Sequence, residues 1–289
     1  MIISGPSTRR AFIAAIVLGC TVSAAAPPRR IVSLIPAVTE MIFAMGEGGR
    51  VVGVSNYDRY PPAVESIPRV GGLLDPNVER VLSLKPDLVI VYNTQQELKE
   101  RLGRASIPYY SYQHRGLPDI AATIRAVGRQ LGASDAANRL AEQMERDLDA
   151  VRRAVAGRPR PRTLLVFGRD PGSLRNIDAS GGYGFLHDML EVAGGDDVFA
   201  DVKKESVQVT TEMVLARRPD VIIELHYGDA ARAADFQKQL SVWDALPAVP
   251  AVRNHRVHAL VGDEFVVPGP RVVDATRRLA RTLHPEAGR

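Results

Sequence analysis

A single cysteine, Cys20, stands in a chain of 289 residues. A disulfide framework and a cysteine-rich metal site are therefore both excluded. Charge of one sign is scarce as well. The formal excess is only +4, from 37 Lys and Arg against 33 Asp and Glu, so a sequence pI near 9.3 makes no electrostatic footprint for nucleic acid. Beyond residue 30 no apolar run approaches the roughly 20 residues that a membrane-spanning helix needs. Aromatic residues make up just 6% of the chain, so the few that occur are informative by position. What is present is ordinary: 45% hydrophobic and 24% charged residues give a globular composition. The length allows two domains or one large one.

The first residues carry an address. Arg9-Arg10 precede an apolar stretch from Ala11 to Gly19, and small residues follow to Ala26. A positive start, a short apolar middle and a small-residue cleavage zone predict an export signal over residues 1–26. Thr8-Arg9-Arg10-Ala11-Phe12-Ile13 also fits a twin-arginine pattern. Val17-Leu18-Gly19-Cys20 is similar to a bacterial lipobox, in which Cys20 carries lipid; the alternative is that Cys20 is a small residue of a leader cleaved near Ala24 to Ala26. Either way the mature chain works outside the cytoplasmic membrane. Loss of the two arginines leaves it a net charge of about +2.

The body of the chain repeats itself. Residues 79–90 read ERVLSLKPDLVI and residues 212–223 read EMVLARRPDVII, 133 residues apart. Each predicts a short helix with a glutamate at its positive end, a proline stop and a strand buried on both faces. The halves open alike, with strands at IVSLIP and TLLVFG leading to apolar helices that end in glycine, TEMIFAMG and GFLHDMLEVAGG. Short strands are expected at 51–54 and 197–199. Two β-α-β-α-β runs predict an α/β fold of two Rossmann-like lobes with parallel sheets. Between them, residues 119–160 read as helical. A stretch free of proline and glycine between Ala133 and Ala156, capped by Ser134, predicts a single rod of roughly 33 Å. The expected organisation is an N-terminal lobe over 27–118, a linking helix region over 119–160, and a C-terminal lobe with a closing helix over 161–289.

The runs IVSLIPAVTEMIFAMG, VVGVSNYDRYPP, NVERVLSLKPDLVIVY, GFLHDMLEVAGGDDVFADV, TTEMVLARRPDVIIEL and VVPGPRVVDATRRLARTLHPE resemble the helical-backbone substrate-binding proteins of ABC importers. These are periplasmic receptors for cobalamin, haem and iron–siderophore complexes, and the cobalamin receptor is the nearest pattern. The resemblance covers residues 29–285. It implies a monomer that holds a metal chelate between its lobes, without catalysis or a resident cofactor. It also implies that one exposed glutamate per lobe, Glu79 and Glu212, docks onto arginines of the permease dimer. Two like sites at the ends of a rod suit a two-fold partner.

Ligands of open α/β sheets sit beyond the carboxyl ends of the strands. Tyr57, Tyr92, Tyr112, Tyr227 and Phe265 fall at such ends, and a tyrosine face with a hydroxyl suits a bulky amphipathic macrocycle. The candidate ligand set is Tyr57, Tyr92, Arg169, Tyr183, Tyr227 and Phe265. Leu73 and Ser206 stand where the cobalamin-receptor pattern expects tryptophan, which keeps haem and ferric siderophores open beside corrinoids. Arg169 and Arg271 are candidates for pairing with ligand carboxylates. His226 and His114 are weak candidates for a metal centre. The loop 180–184, SGGYG, offers backbone N–H groups at the start of the next helix. No G-x-S-x-G elbow occurs, and the six histidines are scattered, which argues against a serine hydrolase and a zinc receptor.

Overall fold

The structure is a computed structural model that describes Met1 and residues 26–113, 115–228 and 233–288. The leader with Cys20, and His114, lie outside the described residues. The first lobe comprises β1 (Ile31–Ser33), α1 (Pro36–Ala44), β2 (Val51–Val54), α2 (Val78–Ser83), β3 (Leu88–Tyr92), α3 (Gln96–Arg104) and β4 (Tyr109–Tyr112). Its strands form one parallel sheet in the order β2-β1-β3-β4. Side chains alternate across it. Ile31, Leu88 and Ile90 join one buried cluster, while Val32, Val89 and Val91 join another on the opposite face. A parallel strand is covered on both sides and so reads as a continuous apolar run.

Next come α4 (Leu117–Leu131) and α5 (Ser134–Ala154). The 21 residues of α5 make a rod of about 31 Å. Gly132, left-handed at φ 68°, closes α4 and reverses the chain. The turn is so tight that Ser134 is already the first helical residue. The cap position falls on Ala133, whose N–H reaches the Gly128 carbonyl at 2.8 Å, and the expected serine cap does not form. A Cβ at Gly128 would overlap the Ala137 methyl, so glycine is what lets α4 and α5 lie in contact.

The second lobe holds β5 (Arg162–Gly168), β6 (Ile177–Ser180), α6 (Phe185–Val192), β7 (Asp196–Asp197), β8 (Ser206–Val209), α7 (Thr211–Arg217), β9 (Val221–His226), α8 (Ala233–Gln239), α9 (Pro250–Arg253), β10 (Val257–Val261) and the closing helix α10 (Val272–Leu283). Strands β10, β9, β5 and β7 are parallel, as the repeat predicts. Strand β6 instead runs antiparallel to both of its neighbours, β5 and β8, which makes this sheet mixed. Only residues 169–176 separate β5 from β6. A parallel return needs a crossover of a dozen or more residues, so the short turn forces the reversal.

The repeat is reproduced atom by atom at its core. Asn77 and Thr210 cap α2 and α7 through their side chains. Lys85 and Arg218 follow, each left-handed at φ 49°. Arg30 then donates to the Leu84 carbonyl and Arg162 to the Arg217 carbonyl, while Asp87 and Asp220 accept from the backbone at the starts of β1 and β5. One buried cluster runs from Ile31 and Val38 through Ile124, Met144 and Leu148 to Ile223 and Leu279. The lobes are therefore parts of one core.

Candidate functional site

The carboxyl ends of the two sheets face each other, with Tyr227 after β9 reaching the loop after β2. On the first lobe the rim is the loop after β2. Asp58 is buried and accepts from the Ser55 N–H at 2.9 Å, and Arg69 donates to the carbonyls of Ser55 and Asp58 at 2.8 and 2.7 Å. The loop is thus fixed from behind while it presents Tyr57 outward, 59% exposed, with Arg59 and Tyr60 also exposed. Burial pushes the Asp58 carboxyl up to about 7, against its contacts with Thr39, the Ser55 N–H and Arg69. Deeper in, Gln95 ties the end of β3 to the neighbouring loop: it accepts from the Tyr92 N–H at 2.8 Å and donates to the Leu73 carbonyl at 2.9 Å. Tyr92 stands edge-on to buried Tyr112, their ring centres 5.9 Å apart. Burial, followed by the charge of Glu205 on the second lobe, raises the Tyr92 phenol above its usual range.

On the second lobe Tyr183 is exposed beside a pocket of about 240 Å³, lined also by Phe167, Phe185, Leu186, Glu205, Ser206 and Val266. The glycines before Tyr183 serve packing. Gly181 and Gly182 donate to the carbonyls of Glu205 and Val202, and a Cβ on either would overlap the backbone of residues 200–204. Their N–H groups are therefore committed within the lobe, contrary to the expectation that they face a ligand. Tyr227 crosses the cleft: its hydroxyl donates to the Tyr57 carbonyl at 3.3 Å, and the Arg59 guanidinium lies 4.9 Å above its ring.

Phe265 does not belong to this set. It is 0% exposed, turned into the core under Arg278, at the end of the short turn that follows Gly262. Both arginines proposed for ligand carboxylates are also held inside. Arg169 is buried against Glu224 at 2.6 Å, and Arg271 pairs with buried Glu40 at 2.6 Å. His226 is bonded to Glu224 at 3.1 Å and stacked on Phe236, with ring centres 4.0 Å apart. Among the described residues no three His, Cys, Asp or Glu side chains converge as a metal site.

Glu224 was not anticipated. Burial alone would raise its carboxyl, but bonds from His226, Arg169 and the Trp243 indole outweigh this and hold it below the usual range. Its signal was present in the sequence: a carboxylate inside VIIELH, a strand otherwise apolar on both faces. Glu40 inside TEMIFAMG is the same signal in a buried helix. Glu79 and Glu212 lie exposed in the first turns of α2 and α7, as expected. The Glu212 carboxyl is held low by the hydroxyl of Thr210 and nearby backbone.

Two sheet-bearing lobes thus stand on a helical spine, with Tyr227 of the second lobe bonded to the Tyr57 carbonyl of the first. Residues 31–263 match the family model described as periplasmic binding protein, and the chain belongs to that family. It is 31% identical to a vitamin B12-binding protein of Salmonella typhimurium over 88% of this chain and 90% of that one. It is 30% identical to an ABC transporter substrate-binding lipoprotein of Bacillus subtilis, YvrC, over 90% of this chain and 81% of that one. Among solved structures it resembles the periplasmic vitamin B12-binding protein of Vibrio cholerae, with TM-score 0.74, 27% identity, and coverage of 91% of this chain and 99% of that one. It resembles equally the periplasmic haem-binding protein RhuT of Roseiflexus sp. RS-1, with TM-score 0.75, 29% identity, and coverage of 90% and 99%.

Proposed function

We propose that this chain is the capture component of an ABC importer, taking a corrinoid into the inter-lobe cleft and releasing it unchanged to a permease. The observation that carries the choice is the character of the cleft. Tyr57, Tyr60, Tyr183 and Tyr227 are exposed there, whereas Arg169 and Arg271 are held by internal carboxylates. Tyrosines give broad apolar faces with hydroxyls, which suits a macrocycle fringed with neutral amides. Haem propionates and siderophore carboxylates call for planar cations; Arg169 and Arg271 are held by internal carboxylates, and exposed Arg59 lies over the Tyr227 ring. The vitamin B12-binding relatives support the same choice. Residues 1–26 act as the export signal, leaving lobes over 27–118 and 161–289, and Glu79 and Glu212 meet the permease.

The test is a titration of the purified mature protein with cyanocobalamin, cobinamide, haemin and a ferric hydroxamate, followed by calorimetry and visible absorption. Binding of the corrinoids at micromolar concentration or tighter, with weaker binding of the others, is the expected result. Preferential binding of haemin would replace the corrinoid reading with a haem one. Replacing Tyr57 by alanine removes one exposed aromatic face and is expected to weaken corrinoid binding about tenfold.

A further inference from the structure

The loop after β2 presents a cation as well as its tyrosines. Arg59 is exposed on the same short stretch as Tyr57 and Tyr60, and buried Asp58 with Arg69 fixes that stretch from behind. The Arg59 guanidinium lies 4.9 Å from the centre of the Tyr227 ring, which belongs to the second lobe, and the Tyr227 hydroxyl donates to the Tyr57 carbonyl at 3.3 Å. Arg59 is therefore held between the lobes by an aromatic face and not by a carboxylate. Its neighbours are committed inward: Arg69 to the carbonyls of Ser55 and Asp58, Arg271 to Glu40 and Arg278 to Glu264. Arg59 makes no salt bridge among the described residues. The nearby acids are engaged elsewhere, Asp58 by the Ser55 N–H and Asp263 by the Gly228 N–H at 3.1 Å. Burial first and Asp263 second push the Tyr227 phenol up, and Arg59 draws it part of the way back.

Lying over a ring costs a guanidinium few of its donors, and the rest keep the forked geometry that fits two oxygens of one phosphate. One such cation suits a ligand with one anionic group. A complete corrinoid is a ligand of that kind: its ring carries neutral amides, and a single phosphodiester leads to its nucleotide base. Haem instead carries a pair of propionates. We propose that Arg59 is a specificity-determining residue that takes the phosphodiester of a complete corrinoid, so that the receptor prefers it to cobinamide, which ends before the phosphate. This rests on the corrinoid reading above and names the part of the ligand that is read. Aromatic contacts common to both corrinoids supply affinity, and Arg59 supplies the difference between them.

The experiment is calorimetry of the mature protein and its Arg59→Gln variant with cyanocobalamin, dicyanocobinamide and dicyanocobinamide phosphate. The last two differ only in the phosphate, so the effect of the nucleotide base is kept apart. In the wild type the phosphate-bearing ligands are expected to bind more tightly than dicyanocobinamide. Arg59→Gln is expected to weaken both of them about tenfold and to leave dicyanocobinamide unchanged, which also shows that the variant is folded. An equal loss for all three ligands overturns the proposal, because Arg59 then shapes the cleft through Tyr227 and reads no phosphate. Wild-type affinities in the variant overturn it too, while the corrinoid reading stands. Failure of the wild-type protein to bind any of the three overturns both.

Discussion

Glu224 sits where the alternation of β9 calls for an apolar side chain, and it gathers Arg169, His226 and the Trp243 indole around itself. A buried carboxylate with three donors is tolerated only while all of them are present. Replacing Glu224 by alanine leaves the Arg169 guanidinium buried without its counter-charge. The expected loss is about 3–5 kcal/mol, measured by urea unfolding followed through Trp243 fluorescence. Asp58 is the opposite case, a buried carboxyl whose proton is retained. Its raised value of about 7 against 3.8 for the free group means that the folded chain keeps a proton the unfolded chain loses. Its contribution to stability therefore falls as pH rises from about 4 to about 7 and is level above that. In Asp58→Asn this dependence is absent, so the variant's melting temperature should gain on the wild type between pH 5 and pH 8. A gap that stays constant with pH would show that Asp58 is ionised in the fold.

At the scale of elements the helix pair α4–α5 is a tightly constrained contact. Gly128 faces Ala137 at a distance with no space for a methyl group. Gly128→Ala gains helix propensity but forces the helices apart, and the net effect is expected to be a loss of about 1–3 kcal/mol in chemical denaturation. Most elements were legible from local pattern. The helix starts at Glu79 and Glu212, the strands at 88–92 and 221–226 and the long proline-free rod all follow from residues within a few positions of one another. Ser134 and the reversed strand β6 were not. A cap depends on the backbone angle of the residue before the helix, and strand direction depends on how much chain is available to return.

For the whole molecule the decisive feature is a core that passes from the first sheet through α4, α5 and α10 to the second. Such a core predicts one cooperative unfolding transition, with calorimetric and van't Hoff enthalpies equal. Two separate transitions would show that the lobes are independent units. The lobes are also joined by Arg271 on Glu40, with Arg271 lying 4.2 Å above the Tyr60 ring. Burial pushes the Glu40 carboxyl up and the Arg271 bond offsets only part of that. Arg271→Ala would leave Glu40 buried and unpaired, so its cost should be greatest at high pH, where the carboxyl must otherwise ionise, and smaller in acid.

The sequence by itself determined the two-lobe α/β architecture and the duplicated helix-start glutamates, because each rests on periodicity or a helix stop that neighbouring residues specify. Only the tertiary structure decided which charged and aromatic residues are free. Arg169, Arg271 and Phe265 read as ligand groups in one dimension, yet their partners Glu224, Glu40 and Arg278 lie 55, 231 and 13 positions away. Whether a side chain faces a ligand or its own protein depends on such distant partners, and burial and pairing exist only once the chain has folded.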